Sequence, residues 1–146
     1  MKRHGIFLAM VLGLSALSAP LAQAGWTELK ASRSGHFIAR AYINGRPTTA
    51  IIDTGATVVA IPYEEARRMG LHPRQLRFNR PVWTANGKAL AAATRLRRVE
   101  INGVVVRDVE ALVMPKGALG QVLIGMSFLG KLRRYAVNAG TLRLFN

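Results

Sequence analysis

The chain has 146 residues, 50% of them hydrophobic, which suits one compact domain with a real core and is too short for two substantial ones. It contains no cysteine, so disulfides, thiol catalysis and zinc–thiolate sites are excluded and the core must carry stability alone. Its 21 Lys and Arg against 7 Asp and Glu give a formal charge of +14, but the basic pairs Arg67-Arg68, Arg97-Arg98 and Arg133-Arg134 are scattered. That distribution reads as solvated basic faces able to meet an anionic membrane or envelope surface, and not as a nucleic-acid footprint.

In chain order, Lys2-Arg3-His4 is a basic start, residues 6–17 are largely apolar, and Ala22-Gln23-Ala24 fits a small-residue cleavage site. Residues 1–24 thus read as a secretory signal peptide, or as a short membrane anchor over residues 6–19. Either places the working domain outside the cytoplasm. Residues 25–34 are polar and read as a mobile lead-in, and residues 35–146 form the domain.

Residues 36–43 alternate with strand periodicity. Asn44-Gly45 follows, a hairpin signal because a type I′ turn needs positive φ at both centres. The returning strand, 46–52, delivers Asp53, and the β-branched run 58–61 reads as a buried strand. Pro62 opens a helix over 63–69, with Glu64 and Glu65 in its first turn, Arg67-Arg68 in its last and Gly70 as its stop. Residues 72–81 are an irregular basic connection. Residues 82–85 and 88–92 flank Asn86-Gly87 as a second hairpin. Residues 95–101 alternate again and turn at Asn102-Gly103 into 104–114. After a loop at 115–120, Val122-Leu123-Ile124 is a short strand ended by Gly125. A one- to two-turn helix over 126–132 and a last hairpin, 134–138 with 141–145 around Ala139-Gly140, complete the chain. Strands spaced by turn signals, with two short helices, make an all-β barrel or sandwich.

The chain has only two aspartates, Asp53 and Asp108. Asp53 lies in Asp53-Thr54-Gly55-Ala56, between apolar segments. Such an aspartate either caps its own tight turn or is a functional carboxylate. Ile52 before it and Val58-Val59 after it imply dry surroundings, where a lone carboxylate is costly unless paired and hydrogen-bonded. Gly55 permits close approach of another backbone, and Thr54 offers a hydroxyl to lock that approach.

On these residues the chain resembles the retropepsin-like (clan AA) aspartic proteases, and among them the exported bacterial members with a single Asp-Thr-Gly-Ala. The likeness covers residues 35–144. Asp53-Thr54-Gly55-Ala56-Thr57 matches the catalytic loop. The hairpin over 82–92, with Trp83 on it and Asn86-Gly87 at its tip, takes the place of the flap. Leu123-Ile124-Gly125 matches the element that packs across the loop, and Met126-Ser127-Phe128-Leu129 resembles the helix after it. The resemblance implies an acid-protease barrel with one lobe per chain. It also implies peptide hydrolysis by two aspartates around one water, with no metal and no cofactor, and a periplasmic location in a bacterium.

The second aspartate has to be found. Asp108 sits outside any glycine turn, next to Arg107, and reads as a solvated strand-face residue. Asp53 is therefore expected to pair with Asp53 of a second copy across a two-fold axis, and by resemblance Thr54 bonds across that axis. A dimer sheet could use residues 141–145, but no N-terminal counterpart is evident. Trp83 reads equally as a cleft residue and as ordinary packing. Trp26 packs or lies loose, His36 and His72 are isolated, and Ser127 reads as a helix-start residue. The single glycine at the hairpin tip puts its mobility as a lid in question. The competing function is a catalytically silent peptide-binding or scaffolding module on the same fold.

Overall fold

The computed structural model describes residues 25–146; the expected signal sequence or anchor lies outside them. Among the described residues no helix is long and apolar enough to cross a membrane.

Strand β1 (Trp26–Lys30) comes first, then β2 (Phe37–Ile43) and β3 (Arg46–Ile52). Asn44 and Gly45 join β2 to β3 with φ of 50° and 82°, as a type I′ turn demands. Next come β4 (Val59–Ile61) and helix α1 (Tyr63–Arg68). Pro62 caps α1, and Gly70 (φ 73°) turns the chain out of it. Strands β5 (Phe78–Thr84), β6 (Gly87–Ile101), β7 (Val104–Val113) and β8 (Val122–Ile124) follow, then helix α2 (Met126–Leu129), β9 (Arg134–Asn138) and β10 (Thr141–Phe145).

Seven strands form one sheet in the order β2-β3-β8-β4-β7-β6-β5. The C-terminal end of β6 also pairs with β2, with Ala41 opposite Ile101 and Ile43 opposite Val99, which closes the sheet into a barrel. Its interior holds Ile43, Ile61, Leu96, Val99, Ile101, Val104, Ile124 and Phe128, all fully buried. Each such side chain contributes about 1.5–3 kcal/mol over an exposed one. Alternation along β7 breaks at Asp108, which is exposed as expected but adopts a left-handed φ of 54° in place of extended backbone.

Three departures from the sequence reading have physical causes. Residues 26–30 are not a mobile lead-in. They form β1, antiparallel to β10 from Trp26 opposite Phe145 to Lys30 opposite Thr141, in a second sheet of order β1-β10-β9. Leu29 is buried in the same core cluster as Leu142 and Leu144. The Trp26 and Phe145 rings stack with centroids 6.4 Å apart. Glu28 accepts from Lys30 Nζ at 2.8 Å and from Arg143 Nε at 2.8 Å, and these hydrogen bonds hold its carboxyl below the usual carboxylate range. The C-terminal strand therefore finds its N-terminal counterpart within the same chain.

Second, β6 is one strand of 15 residues where two were expected. Ala91 and Ala92 are both buried, which masks the alternation there. Third, β5 starts inside the expected irregular connection, at Phe78, with a register shift between Phe78 and Arg80.

If β1 is an integral strand, the backbone amides of residues 26–30 that bond to β10 will exchange with deuterium as slowly as the amides of β10 itself. Exchange there at the rate of an unstructured peptide, beside a protected β10, would show that the segment is loose.

Candidate active site

Strand β3 runs parallel to β8, with Ile51 opposite Leu123 and Ile52 opposite Ile124. The ladder continues one step past the strand end, where the Asp53 N–H donates to the Ile124 carbonyl at 3.0 Å. The chain then turns sharply. Asp53 Oδ1 accepts the Gly55 N–H at 2.8 Å, and the Asp53 carbonyl accepts the Ala56 N–H at 3.2 Å. A Cβ at position 55 would lie 3.1 Å from Oδ1, so glycine keeps the carboxylate seated. Turn-capping and presentation of the carboxylate are thus compatible: one oxygen closes the turn and fixes the orientation of the group.

The dry surroundings expected around Asp53 exist below the loop, where Ile52 and Val59 are buried. They do not exist above it. Asp53 is half-buried, and Thr54 and Gly55 are exposed on the outer face.

The loop is clamped from the other side by the segment after β8. Met126 N–H donates to the Ala56 carbonyl at 2.8 Å, and Ser127 N–H to the Thr57 carbonyl at 3.0 Å. A Cβ on Gly125 would fall 2.5 Å from the Ala56 carbonyl oxygen and against that of Val58. Only glycine lets the two segments cross here. Ser127, expected to do no more than start a helix, has a larger part. Its Oγ donates to the Glu110 carbonyl at 2.7 Å and accepts the Val59 N–H at 3.0 Å, joining β4, β7 and α2 beneath the loop. Nothing in the sequence around Ser127 signals this, because both partners are backbone groups of distant strands.

Over the loop lies a cleft of about 650 Å³. Asp53 and residues 55–58 form one wall, the β5–β6 hairpin from Pro81 to Asn86 forms another, and Leu112, Met114, Leu119 and Leu123 line the rest. The structure thereby brings Asp53, Gly55, Ala56, Trp83, Asn86 and Leu123 to one place. Ile124 and Gly125 sit behind the loop, buried, and support it. Trp83 is 83% exposed at the cleft rim, so it is not a core residue. Leu112, Met114 and Leu119 were not singled out from the sequence. The row that carries Leu112, with Ala60 opposite both Leu112 and Leu123, emerges only from strand register.

The hairpin tip differs from its expected form. Thr84 faces Gly87, so the two loop residues are Ala85 and Asn86, and Gly87 (φ 104°) follows the turn without lining the cleft. Thr84 Oγ1 donates to the Gly87 carbonyl at 2.8 Å and accepts the Asn86 N–H at 3.2 Å, which stiffens the tip. Asp108 does not line the cleft. His36 and His72 are both exposed. Among the described residues no group of three or more His, Cys, Asp or Glu side chains is arranged to hold a metal ion.

With this loop, clamp and hairpin in view, comparison with known proteins is decisive. The family model described as "gag-polyprotein putative aspartyl protease" matches residues 39–131. The chain belongs to this retropepsin-like aspartic protease family. It is 40% identical over 111 residues to an uncharacterized protein in the cobV 5′ region of Sinorhizobium sp, covering 76% of this chain and 48% of the relative. It is 32% identical over 113 residues to the uncharacterized protein RP867 of Rickettsia prowazekii, covering 77% and 48%. The chain thus spans about half the length of the curated relatives it matches. Among solved structures, it superposes on a retropepsin-like aspartic protease from Rickettsia conorii with a TM-score of 0.74 and 29% identity, over 82% of this chain and 89% of that one. EIAV protease in complex with the inhibitor HBY-793 shares the fold at a TM-score of 0.53 and 17% identity, over 70% and 93% of the two chains.

Two substitutions test the clamp. Gly125→Ala will cost about 3 kcal/mol or more, because backbone on both sides must move. Ser127→Ala will cost about 1–3 kcal/mol by leaving the Val59 N–H unpaired. Urea unfolding reads both, and midpoints equal to that of the parent would show that the clamp does not hold the loop.

Proposed function

We propose that the protein is an aspartic endopeptidase whose active unit is a homodimer, with Asp53 of each copy contributing one carboxylate. The observation that carries this reading is the presentation of Asp53. It stands on a backbone-clamped loop, on the wall of a largely apolar cleft facing a hairpin, with the Thr54-Gly55 face of the loop open. One chain has a single loop of this kind, and its other aspartate lies elsewhere. A two-fold axis beside the loop supplies the second carboxylate and covers the exposed face.

The chemistry follows from two carboxylates in close contact. Like charges at that distance cannot both ionise, so the pair holds one proton. The ionised Asp53 takes a proton from a water molecule as its oxygen bonds to the peptide carbonyl carbon. The protonated Asp53 of the second copy gives its proton to the carbonyl oxygen. Collapse of the resulting diol breaks the C–N bond, with a proton passing to the leaving amine and the peptide fragments released as acid and amine. Val82, Trp83, Leu112, Met114 and Leu123 offer apolar contact to side chains flanking that bond. The leader pattern of residues 1–24 supports export to a periplasm, by cleavage or by tethering.

Asp53→Asn, which keeps the turn-capping oxygen, will lower kcat/KM on a mixed peptide library by at least about a hundredfold while leaving the circular dichroism spectrum unchanged. Cleavage at the parental rate would refute the dyad. Specific activity of the parent will also rise with protein concentration until dimers saturate. A fully active species that sediments as a monomer would remove the second copy from the mechanism.

A further inference from the structure

Beside the catalytic cleft lies a second groove of about 680 Å³, and the two share Val58, Pro81, Val82 and Leu112 as lining. They form one continuous channel along the underside of the β5–β6 hairpin. Strand register shows why its character changes along the way. Leu123, Ala60, Leu112 and Ala93 are successive cross-strand partners on β8, β4, β7 and β6. This apolar row floors both halves. Two residues further along, on the same faces, Leu112 gives way to Glu110 and Ala93 to Arg95, which are themselves cross-strand partners. On β5, Val82 likewise gives way to Arg80. The channel is therefore apolar beside Asp53 and charged at its outer end.

The charges there do not cancel. Arg80 has no ion-pair partner among the described residues, and Glu110 meets Arg95 only at 3.4 Å, with both side chains more than half exposed. Arg95 is tethered through its other nitrogen to the Asp108 carbonyl at 3.1 Å, which holds it at the groove. Two guanidiniums against one carboxylate leave an excess positive charge. Arg80 is suited to bidentate contact with a carboxylate, and Arg95, with its terminal nitrogens shared with Glu110 and the Asp108 carbonyl, adds its charge beside it.

We propose that Arg80 and Arg95 form a specificity subsite for an acidic side chain of the substrate, placed in sequence outside the apolar residues that flank the scissile bond. The inference rests on the protease reading above, under which the channel carries an extended peptide. The substrate class is a peptide with an apolar centre and an Asp or Glu toward one or both ends; the two-fold axis repeats the subsite on each side. The strong basic balance of the chain thus acts on substrate choice through two of its arginines.

The test uses the full chain and matched peptides with an apolar centre, bearing Glu or Gln at each outer position in turn. At low salt the Glu peptides will show kcat/KM about fivefold above the Gln peptides, a ratio that falls toward one in 0.5 M NaCl. The double change Arg80→Gln with Arg95→Gln will abolish the ratio, and Glu110→Gln will raise it. Equal cleavage of Glu and Gln peptides by an enzyme that depends on Asp53 would overturn the subsite and leave the protease reading intact. Fluorescence anisotropy of the same peptides on Asp53→Asn protein reads the groove without turnover. Tighter binding of the Glu peptides, lost in the double variant, supports the subsite even if no peptide is cut; equal binding overturns it.

Discussion

The structure depends on one close crossing, where Gly125 passes over the backbone of residues 56–58 with no room for a side chain. The crossing lets β8 insert between β3, to which it runs parallel, and β4, to which it runs antiparallel. It also aims the first amides of α2 at the Ala56 and Thr57 carbonyls. Without that approach the loop would lose its floor, and Asp53 would lose the Ile124 carbonyl that ends its strand. Ser127 extends the same joint to β7, so the position of the carboxylate is tied to the middle of the barrel. On the homodimer reading, a carboxylate that meets another at short range needs that kind of support, because small misplacements are expensive in catalysis.

The molecule divides into a finished half and an open half. The barrel is closed by the β2–β6 pairing, and the terminal strands β1, β10 and β9 form their own sheet within one chain. What remains open is the outer face of the Asp53 loop and the cleft above it. On the homodimer reading, the second copy completes a site and need not complete a fold. The β1–β10 pairing within the chain means that strand exchange between subunits is not required to pair either of these strands.

Much of this was legible in the sequence, for physical reasons that also explain the gaps. Asn44-Gly45 and Asn102-Gly103 marked hairpins because a type I′ turn needs two positive φ angles, and both pairs have them. Asn86-Gly87 carries the same letters but makes a different turn, in which only Gly87 has positive φ. Dipeptide identity alone could not separate the two. Strand β1 was missed because Trp26-Thr27-Glu28-Leu29-Lys30 buries only Leu29, and its strand pairing comes from β10, more than a hundred residues away. The loop, hairpin and Leu123-Ile124-Gly125 were visible as motifs. The cleft walls at Leu112, Met114 and Leu119 were not, since cross-strand register is a property of the assembled sheet.

The central claim is that Asp53 works only opposite another Asp53, and mixing tests it most directly. Parent and Asp53→Asn chains, co-refolded at constant total concentration, would be assayed as the parent fraction is lowered. The account predicts activity that follows the square of that fraction, about one quarter of the starting value in an equal mixture, because only parent pairs hold both carboxylates. A linear decline, with about half the activity in an equal mixture, would mean that each chain acts alone, and would contradict it.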